Sequence, residues 1–169
     1  MKTDASAIAN YFIQKGIDTS NKVTMLKLLK LVYIAHGYSL ALLNRSLLNP
    51  NYDIVEAWQY GPVVPSLYHT LKSNGAKELD KTISIPKFTS VGCEFIESKI
   101  EDGDEELQEV LNFVWERYSP LSSSDLIEIL HADGTPWSIV YKPHQNVVIP
   151  DKLTKDFYKL MIKIMTKDE

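Results

Sequence analysis

From Met25 to Leu43 the chain is an almost unbroken apolar run, interrupted chiefly by Lys27, Lys30, His36 and Gly37. At helical spacing Leu28, Leu31, Val32, Ala35 and Tyr38 or Ser39 share one face, yet Leu26, Leu29, Ile34 and Leu40 occupy the others. A helix that is apolar nearly all round has to be covered on several sides. A membrane span calls for ~20 predominantly apolar residues, and two lysines, a histidine and a glycine inside this run favour the core of a folded domain. The pattern therefore predicts a central helix, N-capped by Thr24, with the rest of the chain wrapped around it.

The flanking segments supply that wrapping. Ile8, Tyr11 and Phe12 give a first amphipathic helix over about 4–15, with Asp4 as N-cap and Gly16 as its stop. Residues 44–52 read as loop, and 53–60 alternate as a short strand that places Glu56, Trp58 and Tyr60 on one face. Gly61-Pro62 then breaks the strand ahead of a helix over 63–73, which Gly75 ends. Residues 82–85 read as a second strand able to pair with the first, and Pro86 confines it to an edge. For 88–100 the pattern is ambiguous, with a short helix expected around Val91–Ile96. Further helices are predicted over 104–118, after the Ser122/Asp125 capping box, from Pro136-Trp137 to Tyr141, and over 151–165 with Leu153, Phe157, Leu160, Met161 and Ile164 as its apolar stripe. No repeat or long polar linker divides the sequence. The expected fold is mainly α: one compact helical domain over residues 1–169 with a small two-stranded β-hairpin or ribbon.

A single cysteine, Cys93, excludes an internal disulfide framework and suits a reducing cytoplasm. Met1-Lys2-Thr3-Asp4 leads straight into the first amphipathic segment, so no signal peptide and no membrane anchoring are expected. A net charge of −4 with a pI near 5.6 weighs against a dedicated nucleic-acid binder.

The residues that do chemistry elsewhere are sparse here. The four histidines are His36, His69, His131 and His144, and none shares a metal-binding spacing with another histidine or cysteine. No metal and no cofactor is expected. His36, inside the apolar helix, reads as a core histidine bonded to a carbonyl, and His131 as a C-terminal cap for its helix. Nucleophile elbows, phosphate-binding loops and dinucleotide fingerprints are absent from the sequence. The acidic run Glu101, Asp102, Asp104, Glu105 and Glu106 straddles a turn and a helix N-terminus, where negative charge is stabilising. Lys152, Lys155, Lys159, Lys163 and Lys167 recur every three or four residues near one face of the last helix, diluted by Asp151, Asp156 and Asp168. That face keeps a surface helix soluble, or offers contact to an acidic partner or nucleic acid.

Three blocks carry a resemblance. Thr24–Tyr38 (TMLKLLKLVYIAHGY) is similar to the "LKLQKLLYYAQGYSL" signature of the Panacea domain, the SocA-like antitoxin family also known as phage-associated proteins. Glu56–Tyr68 (EAWQYGPVVPSLY) resembles its "EAWxYGPVxPxLY" block, and Ser124–His131 followed by Pro136-Trp137 resembles its "L…TH…PW" segment, with Leu130 where threonine is usual. The matching positions include Lys27, Lys30, Tyr33, Gly37, Trp58, Tyr60, Gly61, Pro62, His131, Pro136 and Trp137. The resemblance implies a non-enzymatic antitoxin that binds a cognate protein toxin, with delivery to a protease, or a chaperone contact, within the family's range. It implies that the shared blocks build a scaffold and that the toxin-reading surface lies elsewhere. The candidate surfaces are Glu56, Trp58, Tyr60 and Tyr68, the acidic region 101–109, and Lys155, Lys159 and Lys163. Two alternatives stand beside this: a DNA-associated prophage regulator using the lysine face, and an enzyme with a site assembled from His131, Asp133 and His36.

Overall fold

A computed structural model describes residues 3–167 of the chain. Met1, Lys2 and Asp168, which entered the sequence reading, lie outside the described residues. Helices α1 (Ala5–Asp18) and α2 (Met25–Leu42) begin at Asp4 and Thr24, whose side chains accept hydrogen bonds from the amides of Ala7 and Lys27. Helix α1 runs past Gly16 instead of stopping there. A Cβ at Gly16 would lie 2.9 Å from the Asn21 carbonyl oxygen, so this glycine admits the returning chain against the helix.

Helix α2 is the axis of the molecule. Every residue from Leu28 to Leu40 is buried, and the helix touches α1, α3 (Pro65–Leu71), α4 (Glu105–Tyr118), α5 (Ser123–His131) and α7 (Asp151–Met165). By length and hydropathy it passes as a membrane span, yet most of it is enclosed by these neighbours. Its most extensive contact is with α7, where the ring of Tyr158 sits directly over Gly37 and occupies the space a Cβ would need. Tyr158 meets Tyr38 and Tyr33 edge-on, at centroid distances of 4.9 and 6.2 Å. This contact also sets the rotation of α7. Tyr158 and Thr154 are its buried residues, while Leu160 and Ile164, expected in the apolar stripe, face solvent.

The strands differ most from expectation. Strand β1 is only Glu56–Trp58, and it pairs antiparallel with β2 (Gly61–Val63) on one side and β5 (Val147–Val148) on the other. Gly61-Pro62 thus belongs to a strand rather than to a break. The proline lies in an edge strand, where its missing N–H costs no ladder bond. Tyr60 falls in the turn between β1 and β2 and does not share a strand face with Trp58.

Residues 82–84 pair with no strand, because Asn10 of α1 occupies the backbone there. The Asn10 amide donates to the carbonyls of Ile83 and Ser98, and its oxygen accepts from the Ile83 amide. The segment expected as a short helix is instead β4 (Gly92–Ile96), which forms a hairpin with β3 (Ile85–Thr89). The short α6 (Pro136–Val140) and the Ser122/Asp125 capping box at α5 are where the sequence placed them.

Candidate functional site

Residues from all three segments that carry the resemblance meet at one junction. Lys30 of α2 is fully enclosed, and its Nζ donates to the Pro62 carbonyl at 3.0 Å. Burial pulls its pKa from 10.5 down to about 7, because the charged ammonium is poorly solvated there. Gly61, at φ +102°, covers both Lys30 and His131: a Cβ at this position would lie 3.1 Å from Lys30 Nζ and 3.5 Å from His131 Nε2. Only glycine combines that backbone angle with that approach.

His131 ends α5, but its ring does not cap the helix. It stacks on Trp137 with centroids 3.6 Å apart and planes within 2°, and Trp137 stacks in turn on Tyr141 at 4.4 Å. His131 Nε2 is buried without a hydrogen-bond partner among the described residues. Burial, and then the charge of Lys30, lower the pKa of this imidazole. The Trp137 indole N–H donates to the Trp58 carbonyl at 2.8 Å, and the Trp58 indole N–H donates to the Glu56 carboxylate at 2.7 Å. Trp58 also meets Tyr68 edge-on at 4.9 Å. Trp58 and Tyr68 are therefore half-buried anchors that lock the β1–β2 turn to α3 and α6, whereas Tyr60 is 60% exposed.

The other motif lysine has a parallel role: Lys27 Nζ donates to the Ser119 carbonyl at the end of α4 at 2.6 Å. Tyr33 is buried with its hydroxyl 3.4 Å from Thr154 Oγ1. Pro136, at the first position of α6, is buried beside Trp137.

The groups considered for an enzymatic site have separate partners. His36 Nδ1 accepts from the Leu47 amide at 3.3 Å, and its Nε2 contacts Asp151 Oδ1 at 3.0 Å, so no carbonyl is involved. That bond holds the Asp151 carboxyl below its usual range. Asp133 is exposed in the loop after α5. Among the described residues, no group of three or more His, Cys, Asp and Glu side chains is placed to hold a metal ion.

The candidate surfaces are now located. Lys159 and Lys163 are exposed on α7, while Lys155 bonds Asn44 and Lys152 pairs with Asp156 at 2.5 Å. In the acidic region Asp104 is bound by Arg45 at 2.5 Å and caps α4 through Leu107, and Glu105 and Glu106 are exposed in its first turn. The sequence reading missed a fourth surface, the β3–β4 hairpin. Phe88, Val91 and Phe95 on it are 82%, 91% and 73% exposed. The alternation of Pro86 and Phe88, then Cys93 and Phe95, across Ser90-Val91-Gly92 was the available signal.

Residues 28–138 match the family model described as antitoxin SocA-like, Panacea domain. The chain belongs to that family. The Panacea-domain chain is also 33% identical over 161 residues to "Antitoxin SocA" of Caulobacter vibrioides (strain NA1000 / CB15N), a match spanning 92% of this chain and 82% of the relative. No solved structure matches. Membership supports an antitoxin role, suggests a non-enzymatic mode of action, and implies a toxin as partner in general terms.

Proposed function

We propose that this protein is a cytoplasmic antitoxin that neutralises one cognate protein toxin by holding it in a stoichiometric complex. The observation that carries this reading is the match to Antitoxin SocA along nearly the whole chain. The site chemistry is consistent with it. The junction of Lys30, Gly61, His131 and Trp137 fastens β1–β2 and α6 onto α2, which is what a scaffold needs. Neutralisation by binding requires complementary surface and a few buried anchors, not a positioned nucleophile.

The test uses the product of the reading frame adjacent to this gene. Expressed alone it should arrest growth, and co-expression of this chain should restore growth and yield a complex stable on size exclusion. Failure of rescue, or rescue without a complex, would count against the proposal. A shorter toxin half-life in the presence of this chain would add the finer role of protease delivery. An unchanged half-life would leave sequestration alone.

A further inference from the structure

The β3–β4 register places Pro86 opposite Phe95 and Phe88 opposite Cys93. Cross-strand partners lie on the same side of a ribbon, and residues two apart along a strand share a face. Pro86, Phe88, Cys93 and Phe95 therefore form one apolar face, with Val91 at the tip. The opposite face carries Lys87 across from Glu94. The ribbon makes its main contacts within itself, so its apolar face is not part of the core. Two large aromatics held in solvent on a paired ribbon form a preformed contact surface with little conformational entropy left to lose.

At the base of the hairpin lies a groove of about 500 Å³, to which Pro86 and Phe88 contribute one wall and Asp4 and Asp53 part of the other. Both carboxylates are buried, and among the described residues their hydrogen bonds come from uncharged N–H and O–H donors. Asp53 accepts from the amides of Ala5 and Asn49 and from Ser66 Oγ, while Asp4 accepts from the Ala7 amide, Tyr52 Oη and Ser98 Oγ. Beside them the Tyr52 hydroxyl donates to Asp4, and its pKa is pushed up to about 12 by burial and then by the Asp4 charge. Of the two lysines at the rim, Lys99 approaches Glu97 at 3.6 Å, and Lys87 lies on the ribbon face that carries Glu94. The groove thus offers an apolar wall beside two buried carboxylates that no cationic side chain contacts among the described residues, which is complementary to a cationic side chain flanked by apolar ones.

We propose that the apolar face of the β3–β4 hairpin and the groove at its base grip the toxin, through a toxin segment bearing a lysine or arginine between apolar residues. This rests on the antitoxin reading above.

The experiment titrates the purified product of the adjacent toxic reading frame into the full chain and its variants. Phe88→Ser/Phe95→Ser should weaken the complex at least about 30-fold, the scale of two aromatic hot spots, with an unchanged melting temperature. Thr70 is exposed at the groove wall, so Thr70→Lys and Thr70→Glu test the charge at a position that tolerates both. Lysine should weaken binding several-fold and glutamate should not, and raising the salt should narrow the difference. If wild type rescues growth and binds, but the double variant binds equally well, the docking surface is overturned and the antitoxin reading stands. If the double variant alters self-association alone, the face joins copies of this chain and the proposal fails. Equal effects of Thr70→Lys and Thr70→Glu would overturn the cationic segment. If wild type neither rescues nor binds, both the proposal and the reading beneath it fall.

Discussion

Around Lys30 the segments that carry the family resemblance are joined by a 3.0 Å hydrogen bond and a ring stack with centroids 3.6 Å apart, and enclose a lysine completely. The hairpin at residues 85–96 lies in the stretch between the second and third of those segments and leaves Phe88 and Phe95 in solvent. One region spends its unusual residues on holding elements together, and the other spends apolar surface on nothing inside the molecule. The contrast teaches that in this chain the most recognisable residues and the most available residues are different sets. Trp58 shows the division within two residues: its ring is clamped by Glu56 and Tyr68, while Tyr60 stands free in the turn.

The sharpest way to break this contrast is at Gly37. Replacing a helical glycine with alanine normally gains ~0.5–1 kcal/mol, but here the new Cβ meets the buried Tyr158 ring. Overpacking outweighs propensity, and Gly37→Ala is expected to destabilise by about 2–3 kcal/mol, read by chemical denaturation. The folded fraction should still bind toxin with wild-type affinity. Gly61→Ala comes next, with an expected loss of about 1–3 kcal/mol from its positive φ and its approach to Lys30 and His131. A stability matching wild type would remove the close α2–α7 contact in the case of Gly37→Ala, and the structural role assigned to the junction in the case of Gly61→Ala.

Taken per pH unit, the effect of protonation is smaller. Lys30 has a folded pKa of about 7 against 10.5 for the ordinary group. Between those values the unfolded chain binds more protons, so stability should rise with pH through that window, by at most about 1.4 kcal/mol per unit. The lowered pKa of His131 acts in the same direction at lower pH, where stability falls as the medium is acidified through the usual imidazole range. Denaturation midpoints at pH 6, 8 and 9.5 should show the rise in wild type and a flatter profile in Lys30→Met. Identical profiles would mean that Lys30 titrates as an ordinary exposed lysine. The smallest expected effect is on the hairpin itself: Phe88→Ser/Phe95→Ser should change stability by no more than about 0.5 kcal/mol, as exposed positions generally do. A large loss would place that face in the core and erase the contrast.

The helical frame was legible because its signals are local. Caps at Asp4, Thr24 and Ser122, and the all-round apolar character of α2, need only neighbours in sequence. A strand around β1 was legible within 53–60, but the pairing of the strands was not, because their partners are remote or accidental to pattern. β1 pairs with Val147–Val148, far along the chain, and Asn10 holds residues 82–84 as irregular chain where alternation suggested a strand. The junction was half legible. Lys30, Gly61, His131 and Trp137 were singled out from the resemblance, but that Gly61 would cover both Lys30 and His131 depends on where three helices and a sheet dock. His36 was correctly placed in the core with the wrong partner, since Asp151 comes from the other end of the sequence.

Calorimetric titration of the adjacent toxic gene product into the intact chain, combined with recovery of toxin activity after the two are separated, reports most directly on whether the protein works by grip alone. A saturable complex at fixed stoichiometry, releasing chemically unchanged and active toxin, is the expected result. Inactivation by a small fraction of an equivalent, or a toxin that stays dead once freed, would contradict it.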